Sequence, residues 1–464
     1  MNTAPILVRA LSLAALAGTA AVRLAARLAA AALGASGEPR GSTVGRTLAE
    51  LFRAAGPAYV KLGQLLSTRR DLFGDEAIQH LAQLQDRLPP VPLAAVAKRF
   101  RAELGVELPE VFARVDPVPV GSASIATVYG ATLRDGRAVA VKVRRGGVAE
   151  RIGTDLRLLR AGAALLARLP PFRLIPVTAI VEDLCVSLER QLDFPREAAA
   201  ARRMREALRY EAGVRVPELV DELCAPSILT MELMEGRTFR RPAGAQERGA
   251  AVALLCALYR MIFVEGLIHC DLHHGNLRLL SDGRLALLDF GFTAEIAGSD
   301  RLAFAKFFYA LSTGQGAVCA RIAVEMADPP RAGFAYPPFA REIEALVERT
   351  AGLPASEFRV APFVAALFGI QRAHGLRSTS AFVMPILALL SVEGVVNELH
   401  PEVDFQAEAR PYVFRASISG TAGATFPSPT AADASRSYSP RRLIPSSLAA
   451  AALFPPETRR ASER

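Results

Sequence analysis

The chain has 464 residues, 51% of them apolar and 22% charged, which allows a large core and excludes general disorder. Lys and Arg outnumber Asp and Glu by 55 to 46, and the net charge of +9 suits phosphate ligands, anionic lipid or nucleic acid without selecting among them. Five scattered cysteines (Cys185, Cys224, Cys256, Cys270, Cys319) form no CxxC pair, which excludes a disulfide framework and a thiolate zinc site and points to a reducing compartment.

Residues 1–40 form an Ala-rich lead. Its charge-free run, Ala10–Val22, is thirteen residues long, short of the roughly 20 that span a bilayer. At about 100° per residue, Arg9, Arg23 and Arg27 share one side of a helix opposite Leu and Ala, a stripe suited to lying on an anionic membrane. Two other readings stand beside it: a targeting segment, because Arg9 precedes an apolar run followed by small residues, and an Ala-rich helix packed on its own protein. Residues 41–115 read as helices, with apolar repeats through Leu48–Leu66 and Ala77–Leu88 and a stop at Pro89-Pro90. Residues 116–235 and 236–410 alternate short β-rich runs with longer helical patterns. In 411–464, Ser, Thr, Ala, Pro and Arg dominate without periodicity, and a disordered tail is expected.

The stretch 118–144 carries the clearest local pattern. An apolar Val118–Val120 leads into the small residues Gly121, Ser122, Ala123 and Ser124, which read as a loop running to Ala126. Thr127–Leu133 alternates as a strand, Asp135-Gly136 is a hairpin turn, and Ala138–Val143 is a strand carrying Lys142. Phosphoryl chemistry needs charge neutralisation more than covalent help, and an ammonium on that strand is placed to reach the α- and β-phosphates of a nucleotide. His269-Cys270-Asp271-Leu272-His273-His274-Gly275-Asn276 follows an apolar helix, Leu254–Phe263, and matches the kinase pattern H-x-D-L-x-x-x-N. Asp271 is read as the residue that orients or deprotonates a hydroxyl, Asn276 as an Mg²⁺ ligand, and His269 as a brace for the loop. Three histidines so close together suggest a transition-metal site as the rival reading, but no His-x₃-His spacing or thiolate pair supports it. After the turn Ser281-Asp282-Gly283, Leu285–Leu288 delivers Asp289 at a strand end, followed by Phe290 and Gly291, and Asp289 is the second Mg²⁺ ligand expected. Glu197, 55 residues beyond Lys142, is the candidate partner for the lysine, with an insertion between them. Ile228–Leu233 reads as the strand into a hinge where backbone near Glu232 and Met234 receives adenine. Each motif is weak alone, but this order and spacing together specify an ATP (or ADP) and Mg²⁺ site on an α+β, two-lobed protein-kinase-like fold. That fold has a small β-rich N-lobe, a helical C-lobe and an added N-terminal helical extension. An ATP-using site argues against export.

Over roughly residues 45–405 the chain resembles the UbiB/ADCK (AarF-domain) family of atypical kinase-like proteins. The diagnostic segment is Gly56-Pro57-Ala58-Tyr59-Val60-Lys61-Leu62-Gly63-Gln64-Leu65-Leu66-Ser67-Thr68-Arg69-Arg70-Asp71, similar to the family's K-x-G-Q helix, with Leu84-Gln85-Asp86-Arg87-Leu88-Pro89-Pro90 following it. The resemblance implies that Lys61 and Gln64 regulate the site by folding over the nucleotide cleft, where a protein substrate would lie. Pro119–Tyr129 resembles the family's alanine-rich loop, with Gly121 and Ser122 where alanines are usual; glycine there frees the backbone to approach phosphate. Leu390-Ser391-Val392-Glu393-Gly394 and His400-Pro401 resemble the family's C-terminal helices. The family's E-x-D motif appears as Gln191-Leu192-Asp193, so the expected partner of Lys61 is uncharged and the helix is expected to be held less firmly, a neutral hydrogen bond being about half as strong as a charge-assisted one.

No A-P-E follows Asp289, and only Phe292–Gly298 precedes the next helical stretch, which argues against a peptide acceptor. The leading expectation is an ATP/Mg²⁺-dependent kinase-like ATPase. By the resemblance it supports isoprenoid-quinone (ubiquinone-type) biosynthesis, in the cytoplasm on the inner face of the cell membrane, with an anionic membrane surface and quinone-pathway lipids or enzymes as partners. A nucleotide-sensing scaffold is the second expectation, distinguished by whether Asp289→Asn still complements a deletion strain. A Ser/Thr protein kinase is the third. Nucleic-acid binding has no aromatic-basic platform to support it.

Overall fold

A computed structural model describes residues 4–32, 40–67, 74–84, 89–168, 177–330, 333–350 and 357–419. The chain divides into two compact units, Met1–Ala198 with Leu219–Leu233, and Ala199–Glu218 with Met234–Arg464.

The first unit is built on a four-stranded antiparallel sheet. Strands β1 (Phe112–Ser122), β2 (Ala126–Leu133), β3 (Ala138–Arg144) and β5 (Ile228–Glu232) lie in the order β1-β2-β3-β5. The β2–β3 turn needs a left-handed residue, and Gly136 supplies it at φ 90° while Asp135 accepts the Arg137 amide at 3.0 Å. Alternation along β3 decides what each residue meets. Val139, Val141 and Val143 join Val96 and Phe100 of α5 (Leu93–Leu104) on one face. Ala140 lies on the other face with Ile152 and Leu156 of α7 (Val148–Leu166), Leu184 and Leu188 of α8 (Val177–Gln191), and Phe194 at the start of α9 (Phe194–Ala207). Lys142 has the parity of Ala140, so it is delivered to the α9 side. The insertion expected between Lys142 and Glu197 is α7 and α8.

The lead segment folds as one helix, α1 (Ala4–Ala32), 29 residues long. This corrects the estimate from the charge-free run: Ile6–Ala31, 26 residues, is long and apolar enough to cross a membrane. Two of the three stripe arginines, Arg9 and Arg27, also face the opposite way from expectation, while Arg23 stays 65% exposed at 3.9 Å from Glu50. Arg9 donates to Asp155 of α7 at 2.6 and 2.9 Å and to the carbonyl of Ala55, the last residue of α2 (Arg40–Ala55). Arg27 donates to Thr47 and Glu50 of α2 at 2.9 Å. Asp155 is buried, and a buried carboxylate demands a cation. Charge complementarity therefore turns Arg9 and Arg27 inward and leaves Leu7, Val8, Leu11 and Val22 exposed. The break between α2 and α3 (Pro57–Ser67) falls at Gly56, φ 107°. The side chains of Lys61 and Gln64 lie outside the described residues, as do residues 85–88 of the expected second helix, which is described as α4 (Asp75–Ala82).

The second unit carries two small sheets within a helical body. Strands β4 (Val214–Arg215), β9 (Leu285–Leu287), β8 (Leu277–Leu280) and β6 (Gly236–Arg237) lie in the order β4-β9-β8-β6, and β7 (Leu267–His269) pairs with β10 (Thr293–Glu295). Helix α10 (Ala245–Tyr259) precedes β7, and its Tyr259 stacks on Phe263, which also meets Phe304 of α11 (Gly298–Ser312). Helices α12 (Gly316–Glu325), α13 (Tyr336–Thr350), α14 (Val360–Ala373) and α15 (Ser380–Leu399) follow. Buried Glu393 of α15 accepts the first two amides of α14, Val360 at 2.6 Å and Ala361 at 3.1 Å, so a carboxylate sits where the helix dipole is positive. Helix α16 (Phe405–Ser419) carries the ordered chain past the boundary expected at 410. Buried Tyr412, Val413 and Ala416 hold it despite Pro411, and Tyr412 donates to Glu211 at 3.1 Å. The remainder of the expected tail lies outside the described residues.

Candidate nucleotide site

In the first unit the site centres on one ion pair. Lys142 Nζ donates to both carboxylate oxygens of Glu197, at 2.7 and 2.9 Å. The two side chains are 13% and 1% exposed. Glu197 lies in the first turn of α9, where the helix dipole favours a carboxylate. Asp193, expected to regulate, caps that helix: its carboxylate accepts the Arg196 amide at 3.0 Å and its carbonyl the Glu197 amide at 3.0 Å. The Arg144 guanidinium donates to the Leu192 carbonyl at 2.6 Å, and Lys142 Nζ lies 5.4 Å from the Phe194 ring centroid. Gln191 ends α8 half-buried, and its expected pairing with Lys61 lies outside the described residues.

The small-residue segment is tighter than the sequence suggests. Gly121 and Ser122 belong to β1, with Ser122 paired to Thr127, and only Ala123, Ser124 and Ile125 turn, closed by Ala123 N–H to the Ala126 carbonyl at 2.9 Å. Gly121 has an ordinary φ, and a Cβ there would meet nothing within 4 Å, so backbone freedom is not what this position requires. Arg145, one residue past β3, donates from Nε to the Ala123 carbonyl at 2.7 Å, from Nη2 to Ser122 Oγ at 2.7 Å and from Nη1 to the Pro89 carbonyl at 2.6 Å. Nothing in the sequence singled it out, because its acceptors come from two segments far from it in the chain. At the expected hinge, Glu232 ends β5 opposite Val139, and Leu233 N–H donates to the Ala138 carbonyl at 3.1 Å.

In the second unit the backbone does most of the positioning. Met234 is buried against Leu280 and Ala286. His269 ends β7 fully buried; its Nδ1 accepts the Asp271 amide at 3.2 Å and its Nε2 lies 3.3 Å from the Leu288 carbonyl. That pair of partners assigns the neutral Nε2–H tautomer, and burial lowers the ring's pKa, which keeps it neutral. Asn276 Nδ2 donates to the Asp271 carbonyl at 2.9 Å, so the ligand atom Asn276 offers is Oδ1. The Leu288 amide donates to the Asn276 carbonyl at 2.8 Å, tying the loop to β9. Asp289 follows at φ 56°, the one non-glycine at positive φ among the described residues, with its Oδ1 accepting the Gly291 amide at 3.2 Å. Strained backbone of this kind is retained where function requires it. Buried Phe290 meets His269 edge to face at 5.4 Å. His273 lies 3.7 Å from Asp271, and His274 lies 3.2 Å from Glu398 of α15. His269 and His273 thus meet the amide and the carboxylate of Asp271 while His274 faces Glu398, and among the described residues no group of three or more His, Cys, Asp or Glu is placed to hold a metal ion. Hard oxygens from Asn276 and Asp289 are the donor set that suits Mg²⁺, which takes one or two carboxylates plus phosphate and water.

Comparison with known proteins gives a consistent result. The model of the ABC1 atypical kinase-like domain matches residues 83–323, and that of the UbiB helical domain matches 343–404. A probable protein kinase UbiB of Xylella fastidiosa (strain M23) is 32% identical over 389 residues, covering 80% of this chain and 69% of that protein. The chloroplastic protein "activity of BC1 complex kinase 3" of Arabidopsis thaliana is 36% identical over 263 residues; the match covers 55% of this chain but 37% of the plant protein. Among solved structures, the complex of Rv3197 with erythromycin from Mycobacterium tuberculosis superposes with a TM-score of 0.54 at 24% identity, over 76% of this chain and 92% of that one, a likeness of fold.

Proposed function

Because the chain belongs to the ABC1 atypical kinase-like family and carries its UbiB helical domain, we propose that it is an ATP/Mg²⁺-dependent kinase-like ATPase that supports isoprenoid-quinone biosynthesis at a membrane. The observation that carries the reading is the Lys142–Glu197 pair. A buried ion pair is a poor source of stability, whereas an ammonium held on a strand by a carboxylate is what nucleotide phosphates require. When bound, Mg-ATP supplies the phosphoryl group. Lys142 would hold phosphate oxygens, Asn276 Oδ1 and Asp289 would hold the cation, and Asp271, its amide bonded to His269, would orient the attacking hydroxyl or water. After Asp289 the chain forms only β10 before α11 begins at Gly298, a route with no peptide-seating segment, which favours a small-molecule or lipid acceptor, or water.

The membrane part rests on α1. With Arg9 and Arg27 engaged by Asp155 and Glu50, α1 exposes Leu7, Val8, Leu11 and Val22 together with Arg23, a surface that suits the interfacial region of a bilayer on the cytoplasmic face. The test is phosphate release by the full chain with Mg-ATP, alone, with neutral or anionic liposomes, and with a phenolic quinone precursor. The expected result is Mg²⁺-dependent turnover stimulated by liposomes and precursor. Intact nucleotide binding with no turnover under any of these conditions contradicts the ATPase reading.

A further inference from the structure

We propose that Arg145 is a positioning residue for the nucleotide: it fixes the turn Ala123–Ala126 so that the amides of Ser124 and Ile125 and the hydroxyl of Ser124 face phosphate oxygens. The proposal deepens the Mg-nucleotide reading above and rests on it. Buried Ile125 packs this turn on the core, but the carbonyls of the turn still need polar partners. Here Arg145 grips it at several points. Its amide donates to the Ile125 carbonyl at 2.9 Å, and its guanidinium engages the Ala123 carbonyl, Ser122 Oγ and, from the opposite side, the Pro89 carbonyl. Pro89 is itself fixed close by, because the Val91 amide donates to Thr127 Oγ1 at 3.1 Å and Tyr129 Oη to the Val91 carbonyl at 2.5 Å. The turn is thus pinned between β2 and the segment that precedes α5.

The groups that remain identify the ligand chemistry. The Ala123 amide and carbonyl, the Ser122 hydroxyl and the Ile125 carbonyl are all engaged within the unit. The Ser124 amide, the Ser124 hydroxyl and the Ile125 amide have no hydrogen-bond partner among the described residues, although Ser124 is only 2% exposed. Donors that the protein leaves without partners are open to a ligand's acceptors. Three donors at one turn, with a guanidinium behind it, match the oxygens of a nucleoside polyphosphate. Holding the turn in the bound shape beforehand raises affinity by lowering the entropy lost on binding. The fork geometry matters: a lysine ammonium donates from one point and cannot span carbonyls on two segments while holding a serine hydroxyl.

The experiment compares wild type with Arg145→Ala, Arg145→Gln and Arg145→Lys in the full chain. It reads MgATP affinity by calorimetry, KM and kcat for hydrolysis, the thermal midpoint, and hydrogen exchange of the Ala123 amide. The expected result is MgATP binding weakened about tenfold in all three, with KM rising to match and kcat within about twofold of wild type. Ala123 exchange is expected to speed up by roughly tenfold, even in Arg145→Lys. Unchanged MgATP affinity in Arg145→Ala and Arg145→Lys overturns the proposal, including the case in which the thermal midpoint falls and Arg145 merely ties Pro89 to the sheet. If Arg145→Ala does not fold, Arg145→Gln and Arg145→Lys decide by the same measures. A wild-type chain that fails to bind MgATP overturns the nucleotide reading as well, and the Ala123 exchange rates still show whether Arg145 holds the turn.

Discussion

The two units hold their candidate site residues by different means. In the first, candidate side chains reach partners from distant parts of the chain: Lys142 the Glu197 carboxylate, and Arg145 the Ser122 hydroxyl and the carbonyls of Ala123 and Pro89. In the second, it depends on backbone geometry within a short stretch, where His269, Asn276 and the left-handed Asp289 are held by main-chain partners. A site of the first kind fails when one partner is removed and its counterpart stays buried. A site of the second kind keeps its shape under a substitution that respects the local conformation, and loses only the chemistry of the replaced atom. The difference is therefore measurable as the coupling between stability and activity.

The largest effect is expected at Lys142. Lys142→Met leaves the Glu197 carboxylate buried without its ammonium and is expected to lower stability by about 3 kcal/mol while abolishing turnover. Lys142→Met combined with Glu197→Leu is expected to recover most of the stability in a denaturant titration and none of the activity. Recovery of both would break the distinction. Next comes Asp289→Asn. Asparagine tolerates positive φ, so the thermal midpoint is expected to stay within about 2 °C while Mg²⁺-dependent turnover falls roughly a hundredfold or more. Asp289→Ala should lose the same activity and also about 1–2 kcal/mol of stability, the cost of forcing alanine into the left-handed region.

Glu393 tests the second unit away from its chemistry. Glu393→Ala strands two amides at the start of α14 and is expected to cost about 2 kcal/mol with MgATP affinity unchanged; a loss of affinity would show that the capping contact reaches the site. The smallest effect is expected at Gly121. With ordinary φ and open space, Gly121→Ala should change stability by less than about 0.5 kcal/mol and leave nucleotide affinity unaltered, in contrast to Arg145→Ala a short distance along the same sheet.

This same contrast governs what the sequence discloses. The Asp271, Asn276 and Asp289 motifs are local, so spacing alone identifies them, and the left-handed Asp289 is the part that spacing does not reveal. The Asp135-Gly136 hairpin is legible because turn chemistry is local too. Glu197 is found as an acid at a helix start, a feature of the short range that happens to report a long-range pair. Arg145 is hidden beside Arg144, since neither its neighbours nor its period distinguishes it; only the fold brings Pro89 to it. The arginines of α1 show the limit of periodicity. Their spacing defines one face of the helix, but the direction of that face is set by Asp155 and Glu50, which lie far away in sequence. Helix α16 runs past its expected end for the same reason, because its packing and the Tyr412–Glu211 contact outweigh the local effect of Pro411.

The most direct test of the Mg-nucleotide site is calorimetric titration of ATP into the full chain with and without Mg²⁺, for wild type, Lys142→Met/Glu197→Leu and Asp289→Asn. Saturable binding by wild type that strengthens with Mg²⁺, is lost in the Lys142/Glu197 variant and becomes indifferent to Mg²⁺ in Asp289→Asn is the result predicted. Binding that ignores Mg²⁺ in wild type, or survives unchanged in both variants, contradicts it.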